Sequence, residues 1–586
     1  MSRFLKLFLA FMLFSILCIG LLVVGLVALV RQGEPISIPS NSVLQLSLAG
    51  TWDDRAPDPF WAGLWREDAI DSIQEVVIGL HAAKDDPKVK TLLVETTGFV
   101  AGWGVAKEIR DALLDFRSSG KKVIAYIQAA EDLDYYVATA ADEIYLAPEG
   151  MMMVNGLSME TLFLKETFDK VGIQPDFHHR GEYKSATETF TRRSMSDANR
   201  EATTAILDSL YDQMVAGIAD GRRMSEEDVR GFIDDFVISG PRLVESGMID
   251  GLRYLDQVLS DLAPSGREEP PLVGLHDYYK ARVQEKMDKG TRVAVLYIAG
   301  EIRSGESGEG GLGGAESVGS ATIAEAAKAI RDDEGIEAVV VRINSPGGSS
   351  LAADMMWHDI MRLRETRPVI ISMSDLAASG GYWVATAGDT IVAQPGTLTG
   401  SIGVFMGKMN LARLFDKIGV SFDGVSRGRY ARMFTSLRSF NPDELKRVDA
   451  MLDSTYNAFL SRVARGRNMT EAEVDKVARG RVWTGALALQ HHLIDDLGGM
   501  EKALDIVRER LDLEPEAPLK LESFPRDDNI LARWLKRLGL KVRVNLPFFA
   551  ELPVGEAKEV RGGVHAALSL EDEGPQALLP FIPIIR

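Results

Sequence analysis

The sequence predicts an α/β fold that occurs twice in tandem and is preceded by one transmembrane helix. Three observations lead to this prediction: a long-range internal repeat, an alternation of short apolar strands with helices in each copy, and an uncharged apolar stretch near the amino terminus. The chain has 586 residues, which is long enough for two domains that each have a full core.

The repeat consists of matched segments that lie 247 residues apart. The segment YYVATAADEI begins at Tyr135, and the segment YWVATAGDTI begins at Tyr382. Farther along, FDKVG begins at Phe168 and FDKIG begins at Phe415, so the offset is kept. We infer that the chain contains a duplicated domain.

The two copies differ at positions that bear on chemistry. After a shared Gly-x-Tyr, the first copy has Lys184 and the second copy has Ala431. Where the second copy has Ser379, the first copy has an acidic segment, EDLD, that begins at Glu131. Each copy therefore retains one member of a candidate catalytic pair.

Within each copy, short continuous apolar strands alternate with helices. The predicted strands are 43–50, 91–94 and 123–127 in the first copy and 293–300, 338–341 and 369–373 in the second, and the helices after the first strands are 70–84 and 322–332. Such runs are typical of parallel strands that helices cover on both faces. Ligands of these folds bind at the carboxyl ends of the strands.

We expect five segments along the chain. They are a cytoplasmic stub with the anchor (1–39, anchor about 7–30), a first half that carries Lys184 (40–262), a linker rich in proline and glycine (263–290), a second half that carries Ser379 (291–513) and a carboxyl-terminal extension (514–586). The glycine-rich stretch 305–319 contains a GxGxxG pattern but no acidic residue after a second strand. We therefore expect a mobile loop over the substrate and no cofactor.

The predicted anchor runs from Leu7 to Val30, a stretch of 24 residues without charge. This exceeds the roughly 20 residues that a helix needs to cross a bilayer. Arg3 and Lys6 favour a cytoplasmic amino terminus, although Arg31 weakens the bias. An uncleaved anchor fits better than a cleaved signal peptide, because no small-x-small site follows the apolar run. We expect a bacterial inner-membrane protein whose remaining chain faces the periplasm.

Composition excludes several classes of function. The net charge of −19 argues against a nucleic-acid partner, which requires a basic face. The single cysteine, Cys18, lies in the apolar run, so the rest of the chain has neither a thiol nucleophile nor thiolate metal ligands. The sequence contains no HExxH motif, and we expect no metal site.

A serine between small residues is the strongest candidate nucleophile. Ser379 stands in AASGG at a predicted strand-to-helix turn, and Gly347 and Gly348 stand in NSPGG one strand earlier. A serine hydroxyl requires a base and also N–H donors for the developing oxyanion. Alone, AASGG is also typical of a tight turn with a capping serine. The combination of the two glycine-containing motifs favours a catalytic site.

The base must come from elsewhere in the chain. None of the eight histidines lies between Ser379 and His491, and we expect His358 to be half-buried on a helix surface. Lys184 is the better candidate, because burial lowers the pKa of a lysine and can leave the amine neutral. The alternative is an ordinary surface lysine.

Four motifs together resemble signal peptide peptidase A (protease IV) in its long duplicated form. They are YKSA, NSPGG, AASGGYW and GSIGV, and the resemblance covers most of residues 40–510. It implies a Clp-protease/crotonase-like fold and a Ser/Lys dyad with Ser379 as nucleophile and Lys184 as general base. It further implies that Ser401 orients the lysine, that the substrates are remnant signal peptides at the membrane, and that the protein is a homo-tetramer.

The mechanism expected from these residues places one site per chain where the two halves meet. The N–H groups of Gly348 and Gly380 would stabilise the oxyanion. Two alternatives stay open. A crotonase-like acyl-CoA enzyme would require a carboxylate base and has no use for an anchor, and an inactive scaffold would bind hydrophobic peptides without cleaving them. The sequence assigns no role to residues 514–586.

Overall fold

The computed structural model describes residues 36–52, 54, 72–308, 316–526 and 576–578, together with Met12, Ser15 and Gly20. Apart from these three positions, the predicted anchor lies outside the described residues, as does the middle of the glycine-rich loop. Within the described ranges, no helix is long and apolar enough to span a bilayer.

The first half of the chain alternates strands with helices. Its elements are β1 (Ser42–Thr51), α1 (Ile73–Asp85), β2 (Val89–Val100), α2 (Trp103–Ser118), β3 (Lys122–Ala130), α3 (Asp132–Ala138), β4 (Glu143–Met152), α4 (Lys165–Val171), β5 (Gln174–Arg180), a 3-10 turn (Ser185–Thr187), α5 (Glu188–Thr191), α6 (Asp197–Arg222), α7 (Glu226–Asp235), α8 (Gly240–Glu245), β6 (Gly251–Leu252), α9 (Leu255–Leu262), β7 (Leu272–Gly274), α10 (Leu275–Tyr278), a π turn (Tyr279–Val283) and α11 (Gln284–Met287).

The second half repeats this alternation. Its elements are β8 (Thr291–Ala299), β9 (Glu301–Arg303), β10 (Ser317–Gly319), α12 (Ser320–Asp332), β11 (Ala338–Ser345), β12 (Gly347–Ser349), α13 (Ser350–Arg364), β13 (Val369–Ala378), α14 (Gly380–Ala385), β14 (Thr390–Ala393), β15 (Leu398–Gly400), β16 (Val404–Asn410), α15 (Ala412–Lys417), α16 (Pro442–Arg467), α17 (Glu471–Val477), β17 (Val482–Thr484), α18 (Gly485–Gln490), β18 (Asp496–Leu497), α19 (Met500–Arg510), β19 (Leu519–Phe524) and β20 (Gln576–Leu578).

Each half is built on its own sheet. The first sheet has the order β6-β4-β3-β2-β1-β7, and all its strand pairs are parallel. The second sheet has the order β17-β15-β13-β11-β8-β19, with β14 and β18 branching from β13, and only the β15–β17 pair is antiparallel. The prediction of a tandem, mainly parallel α/β fold is confirmed.

The apolar runs are continuous because helices cover both faces of the sheet. Val339 and Val341 of β11 pack into a core with residues of α12 and α13, whereas Val340 packs on the opposite face with Leu504 and Val507 of α19. Successive side chains of a strand point to opposite faces, so a strand buried on both sides is apolar at every position.

The duplication extends to individual contacts and to the outer strands. The Tyr135 hydroxyl donates to the carbonyl of Met248 at 2.6 Å, and the matched Tyr382 hydroxyl donates to that of Leu493 at 2.7 Å. β7 joins β1, and β19, which begins 247 residues after β7, joins β8 in the same parallel sense. The ranges predicted as linker and extension thus each contain a strand of a sheet.

A third sheet joins the two halves. Its order is β10-β9-β12-β20-β16-β5. In it, β5 of the first half pairs antiparallel with β16 of the second half, from Arg180 opposite Val404 to Gln174 opposite Asn410. The residues that follow β5 therefore lie against the second half.

A buried ion cluster also joins the halves. Arg342 of β11 is 2% exposed, and its guanidinium donates to Asp54 at 2.8 Å and to Glu108 at 2.7 Å, both of which belong to the first half. It also donates to the hydroxyls of Ser372 and Ser374. Buried charges are tolerated when they are paired and hydrogen-bonded in this way.

Candidate active site

Lys184 reaches the site because two glycines permit a close backbone approach. β5 ends at Arg180, and the turn that follows begins at Gly181, whose φ is +99°. A Cβ on Gly181 would overlap the backbone of Arg479, and a Cβ on Gly480 would lie 2.5 Å from the Lys184 backbone nitrogen. The turn between β5 and the 3-10 turn therefore lies directly against residues 479–480 of the second half.

Ser379 occupies the turn between β13 and α14, as the sequence predicts. Its φ of +55° and ψ of −113° are rare for a residue with a side chain. The Ser379 N–H donates to the carbonyl of Gly400 at 2.8 Å, and its carbonyl accepts from the N–H of Trp383 at 2.8 Å. These bonds hold the unusual backbone in place at the amino end of α14.

The structure brings Lys184, Ser379 and Ser401 together. The Lys184 Nζ lies 2.6 Å from the Ser379 Oγ, 3.0 Å from the Ser401 Oγ and 3.1 Å from the Ser401 carbonyl oxygen. All three residues are 0% exposed. Ser401 also has a positive φ, +51°, and its N–H donates to the carbonyl of Arg481 at 2.7 Å. The lysine of the first half thus lies against two serines of the second half.

Burial sets the protonation of the lysine. The loss of water around the side chain lowers the pKa of Lys184 well below its ordinary value of 10.5. Its three hydrogen-bonding neighbours are neutral oxygens, and none of the ion pairs among the described residues joins it to a carboxylate. A neutral amine in contact with a serine hydroxyl is suited to take up the serine proton.

The two predicted oxyanion donors lie on adjacent elements. Gly380 is the first residue of α14, where N–H groups have no partner within the helix. Gly348 lies in β12, which packs against α14, and has a φ of +152°. A Cβ on Gly348 would overlap the backbone of Ile302, so only glycine fits. The neighbouring Gly347 N–H donates to the Ser345 Oγ.

Among its described residues, the first copy has no equivalent site. Asp132 stands at the position matched to Ser379, and its Oδ1 accepts from the N–H of Gly156 at 3.0 Å. Asp134 accepts from the N–H of Phe99 at 3.0 Å. Burial raises the pKa of Asp132 to about 6. These carboxylates bind backbone groups of their own half, so the part of the chain that the structure describes contains one buried serine–lysine pair.

Two further observations concern the other candidate residues. His358 on α13 is exposed rather than half-buried, because its side chain lies on the solvent side of that helix.

The sequence analysis did not single out Gly480. Val482 of the second copy matches Val237 of the first, so Gly480, two residues earlier, matches Asp235. This difference between the copies was the signal that could have identified Gly480.

Among the described residues, one cluster brings together side chains of types that can bind a metal. It consists of His81, Asp115 and Glu501. The His81 Nδ1 lies 2.6 Å from a Glu501 oxygen, and its Nε2 lies 3.0 Å from Glu516. The hydrogen bond to Glu501 raises the pKa of His81 to about 9. The three side chains thus form a hydrogen-bonded cluster that links α1, α2 and α19.

Comparison with known proteins gives consistent matches. The family model "Peptidase family S49" matches residues 115–266 and 361–514. "Serine protease SPPA, chloroplastic" of Arabidopsis thaliana is 34% identical over 86% of this chain and 74% of its own length. "Protease 4" of Haemophilus influenzae is 31% identical over 78% of this chain and 76% of its own. "Putative signal peptide peptidase SppA" of Enterococcus faecium is 27% identical over 46% of this chain and 80% of its own.

Proposed function

This chain belongs to peptidase family S49 and is a serine protease, and we propose that it cleaves hydrophobic peptides, among them released signal peptides, with a Ser379–Lys184 dyad. The observation that carries the proposal is the distance of 2.6 Å between the Lys184 Nζ and the Ser379 Oγ in a fully buried position. The crotonase-like alternative requires a carboxylate base, whereas the neighbour of this hydroxyl is an amine.

Acylation begins with proton transfer. Neutral Lys184 takes the proton of the Ser379 hydroxyl, and the oxygen attacks the carbonyl carbon of the scissile peptide bond. The N–H groups of Gly348 and Gly380 donate to the oxyanion of the tetrahedral intermediate. The ammonium of Lys184 then protonates the departing amine as the C–N bond breaks.

Deacylation uses the same groups. Lys184 is neutral again after the amine has left, and it takes a proton from a water molecule that attacks the ester carbonyl. The ester bond to Ser379 breaks and the serine oxygen recovers a proton from Lys184. Ser401, which contacts the lysine through its hydroxyl and its carbonyl, orients the amine throughout.

The proposed substrates and location rest on the relatives and on the amino-terminal sequence. The Enterococcus faecium relative, a putative signal peptide peptidase, supports signal peptides as substrates. The uncharged run 7–30 supports an anchor in a bacterial inner membrane, with the catalytic part in the periplasm. Protease accessibility in intact and lysed spheroplasts tests this orientation. A homo-tetramer, expected from the resemblance, is tested by light scattering of the detergent-solubilised chain.

The dyad is tested with a matched pair of lysine variants. Lys184→Met replaces the buried amine with an apolar side chain of similar length, and Lys446→Met changes a lysine that is 78% exposed. We expect Lys184→Met to reduce kcat/KM for a fluorogenic hydrophobic peptide by about 10²–10⁴-fold. Lys446→Met should resemble the parent. Equal hydrolysis by all three proteins would exclude Lys184 as the base.

A further inference from the structure

Tyr183, the residue before Lys184, is held between the two halves by an arginine and a glutamate. The guanidinium of Arg481, which precedes β17, lies over the Tyr183 ring with its Cζ 5.0 Å from the ring centroid. The same Cζ lies 4.4 Å from the centroid of the Trp483 ring. The Arg481 Nη1 donates to a Glu201 oxygen of α6 at 2.8 Å, and the Tyr183 hydroxyl donates to the other oxygen of that carboxylate at 2.8 Å. Tyr183 is therefore fixed through both its ring face and its hydroxyl.

The segment that carries Arg481 also contacts the proposed catalytic groups through its backbone. The carbonyl of Arg479 accepts from the Tyr183 N–H at 2.8 Å, and the carbonyl of Arg481 accepts from the Ser401 N–H at 2.7 Å. Because Lys184 follows Tyr183 directly, a shift of Tyr183 reaches the lysine backbone across one rigid peptide unit. The side chain of Arg481 therefore acts on the turn that sets the position of the amine.

The two copies of the duplicated domain differ at both members of this ion pair. The segments DSLY of α6 and DSTY of α16 lie 245 residues apart, which sets the offset for this part of the chain. With that offset, Glu201 matches Lys446, and Arg481 matches Phe236. The matched positions thus carry a lysine and a phenylalanine, which cannot form the ion pair. Of these two sets of positions, only the one at the turn that carries Lys184 has the arginine and the glutamate.

We propose that Arg481 is a positioning residue of the serine–lysine site: by holding Tyr183 against the second half, its side chain keeps the Lys184 amine at the serine hydroxyl. The inference rests on the proposed function, because it takes Lys184 to be the base. Arg481 exchanges no proton and forms no bond in the reaction. A guanidinium suits this role, because its planar face stacks on an aromatic ring while its N–H groups bind a carboxylate.

A positioning role has a defined kinetic signature. If the turn at Tyr183 relaxes, the amine of Lys184 is aligned with the serine hydroxyl for a smaller part of the time, and kcat falls. KM should change little, because the alignment matters in the transition state rather than in substrate binding. Water that reaches the amine would also reverse part of the burial that lowers the pKa of Lys184. The ascending limb of the pH profile should therefore move to higher pH.

The first test compares the parent, Arg481→Met and the matched Arg253→Met as full chains in detergent micelles. Arg253 also lies over a tyrosine ring, 5.2 Å from the centroid of Tyr145, and pairs with Asp261 at 2.6 Å, but it belongs to the outer edge of the first sheet. We expect Arg481→Met to lower kcat for a fluorogenic hydrophobic peptide about 10-fold to 100-fold at constant KM. Its pH limb should move upward, and Arg253→Met should equal the parent. A parental kcat in Arg481→Met, or a loss expressed only in KM, would overturn the proposal.

The second test asks whether Arg481 acts through Tyr183. Tyr183→Ala removes the ring on which the guanidinium stacks, so this variant should also have a lower kcat. Residues that act through one contact show non-additive effects. In the Tyr183→Ala background, Arg481→Met should therefore change kcat less than about twofold. A full additional loss in that background would show that Arg481 acts by another route and would contradict the proposal.

The third test does not depend on activity. In a Ser379→Ala background, Arg481→Met should speed hydrogen exchange at the amides of residues 183–185, whereas Arg253→Met should not. Faster exchange together with parental hydrolysis by Lys184→Met would support the contact and refute the dyad on which the proposal rests. Unchanged exchange and unchanged kcat in Arg481→Met, with hydrolysis lost in Lys184→Met, would refute the positioning role and leave the dyad intact.

Discussion

Gly480 of the second half lies directly against the backbone of Lys184 of the first half. A Cβ added to Gly480 would be 2.5 Å from the Lys184 nitrogen and 2.6 Å from its Cα, and the φ of Gly480 is +81°. Lys184, the proposed base, is thus positioned by main-chain contact across the junction of the halves, rather than by its own half alone.

We therefore expect Gly480→Ala to displace Lys184 and to reduce kcat/KM by about 10²-fold, since a misplacement of about 1 Å can have that effect. Gly424→Ala is the matched control, because a Cβ at Gly424 meets nothing within 4 Å. Steady-state hydrolysis and near-UV circular dichroism of both variants provide the measurement. Parental activity in Gly480→Ala would show that the close approach is not required.

The pH dependence of hydrolysis should report the buried lysine. Because burial lowers the pKa of Lys184 well below 10.5, the neutral base should already predominate below that pH. We expect kcat/KM to rise with pH as Lys184 loses its proton, with the ascending limb well below 10.5. A limb centred near 10.5 would indicate a solvated lysine and contradict the assignment.

The same burial should lower stability. The pKa of Lys184 is lower in the folded state than in the unfolded state. Between these two pKa values, the unfolded chain holds a proton on this lysine that the folded chain has lost. The lysine therefore lowers the free energy of unfolding at all pH values below its unfolded pKa. Lys184→Met should therefore raise the thermal midpoint at pH 7 while activity is lost. The gain should shrink as the pH approaches 10.5. A lower midpoint at pH 7 would argue that the amine contributes net stabilising hydrogen bonds.

Arg342 should be essential for the stability of the junction. Arg342→Leu leaves Asp54 and Glu108 buried without their counter-charge, and breaking such a pair costs about 3–5 kcal/mol. Arg230, whose partner Asp212 is exposed, provides the control Arg230→Leu, which should cost less than about 1 kcal/mol. Urea unfolding followed by tryptophan fluorescence compares the two. Equal midpoints would contradict a stabilising role for the buried cluster.

His81 should make stability depend on pH. Its pKa is raised to about 9, chiefly by the hydrogen bond to Glu501. The stabilisation is fully present below the unfolded pKa of about 6.5 and is lost as the pH rises through about 9. Because the side chain is partly exposed, we expect about 2 kcal/mol or less. The difference in thermal midpoint between the parent and His81→Gln should be largest at pH 6 and vanish by pH 10. A constant difference would exclude titration of His81 as the cause.

Local patterns predicted much of the architecture. The apolar runs at 338–341 and 369–373 are β11 and β13, and the turn at Ser379 lies between a strand and a helix as AASGG indicates. The shorter strands were not predictable from the sequence. A segment of three residues, such as 272–274, has little intrinsic preference for the strand conformation, and it forms a strand only because the edge of a neighbouring strand is available for pairing. For the same reason, the sequence contains no signal that Gln576–Leu578 would form β20.

The sequence by itself determined the two α/β copies, the serine at a strand end and, through the divergence of the copies, the choice of Lys184 as its partner. The tertiary structure decided whether these residues meet. They are 195 positions apart, and their contact depends on β5 crossing to pair with β16. It also decided the protonation of the lysine, because the pKa follows from the packing around the amine, which no local pattern of residues specifies.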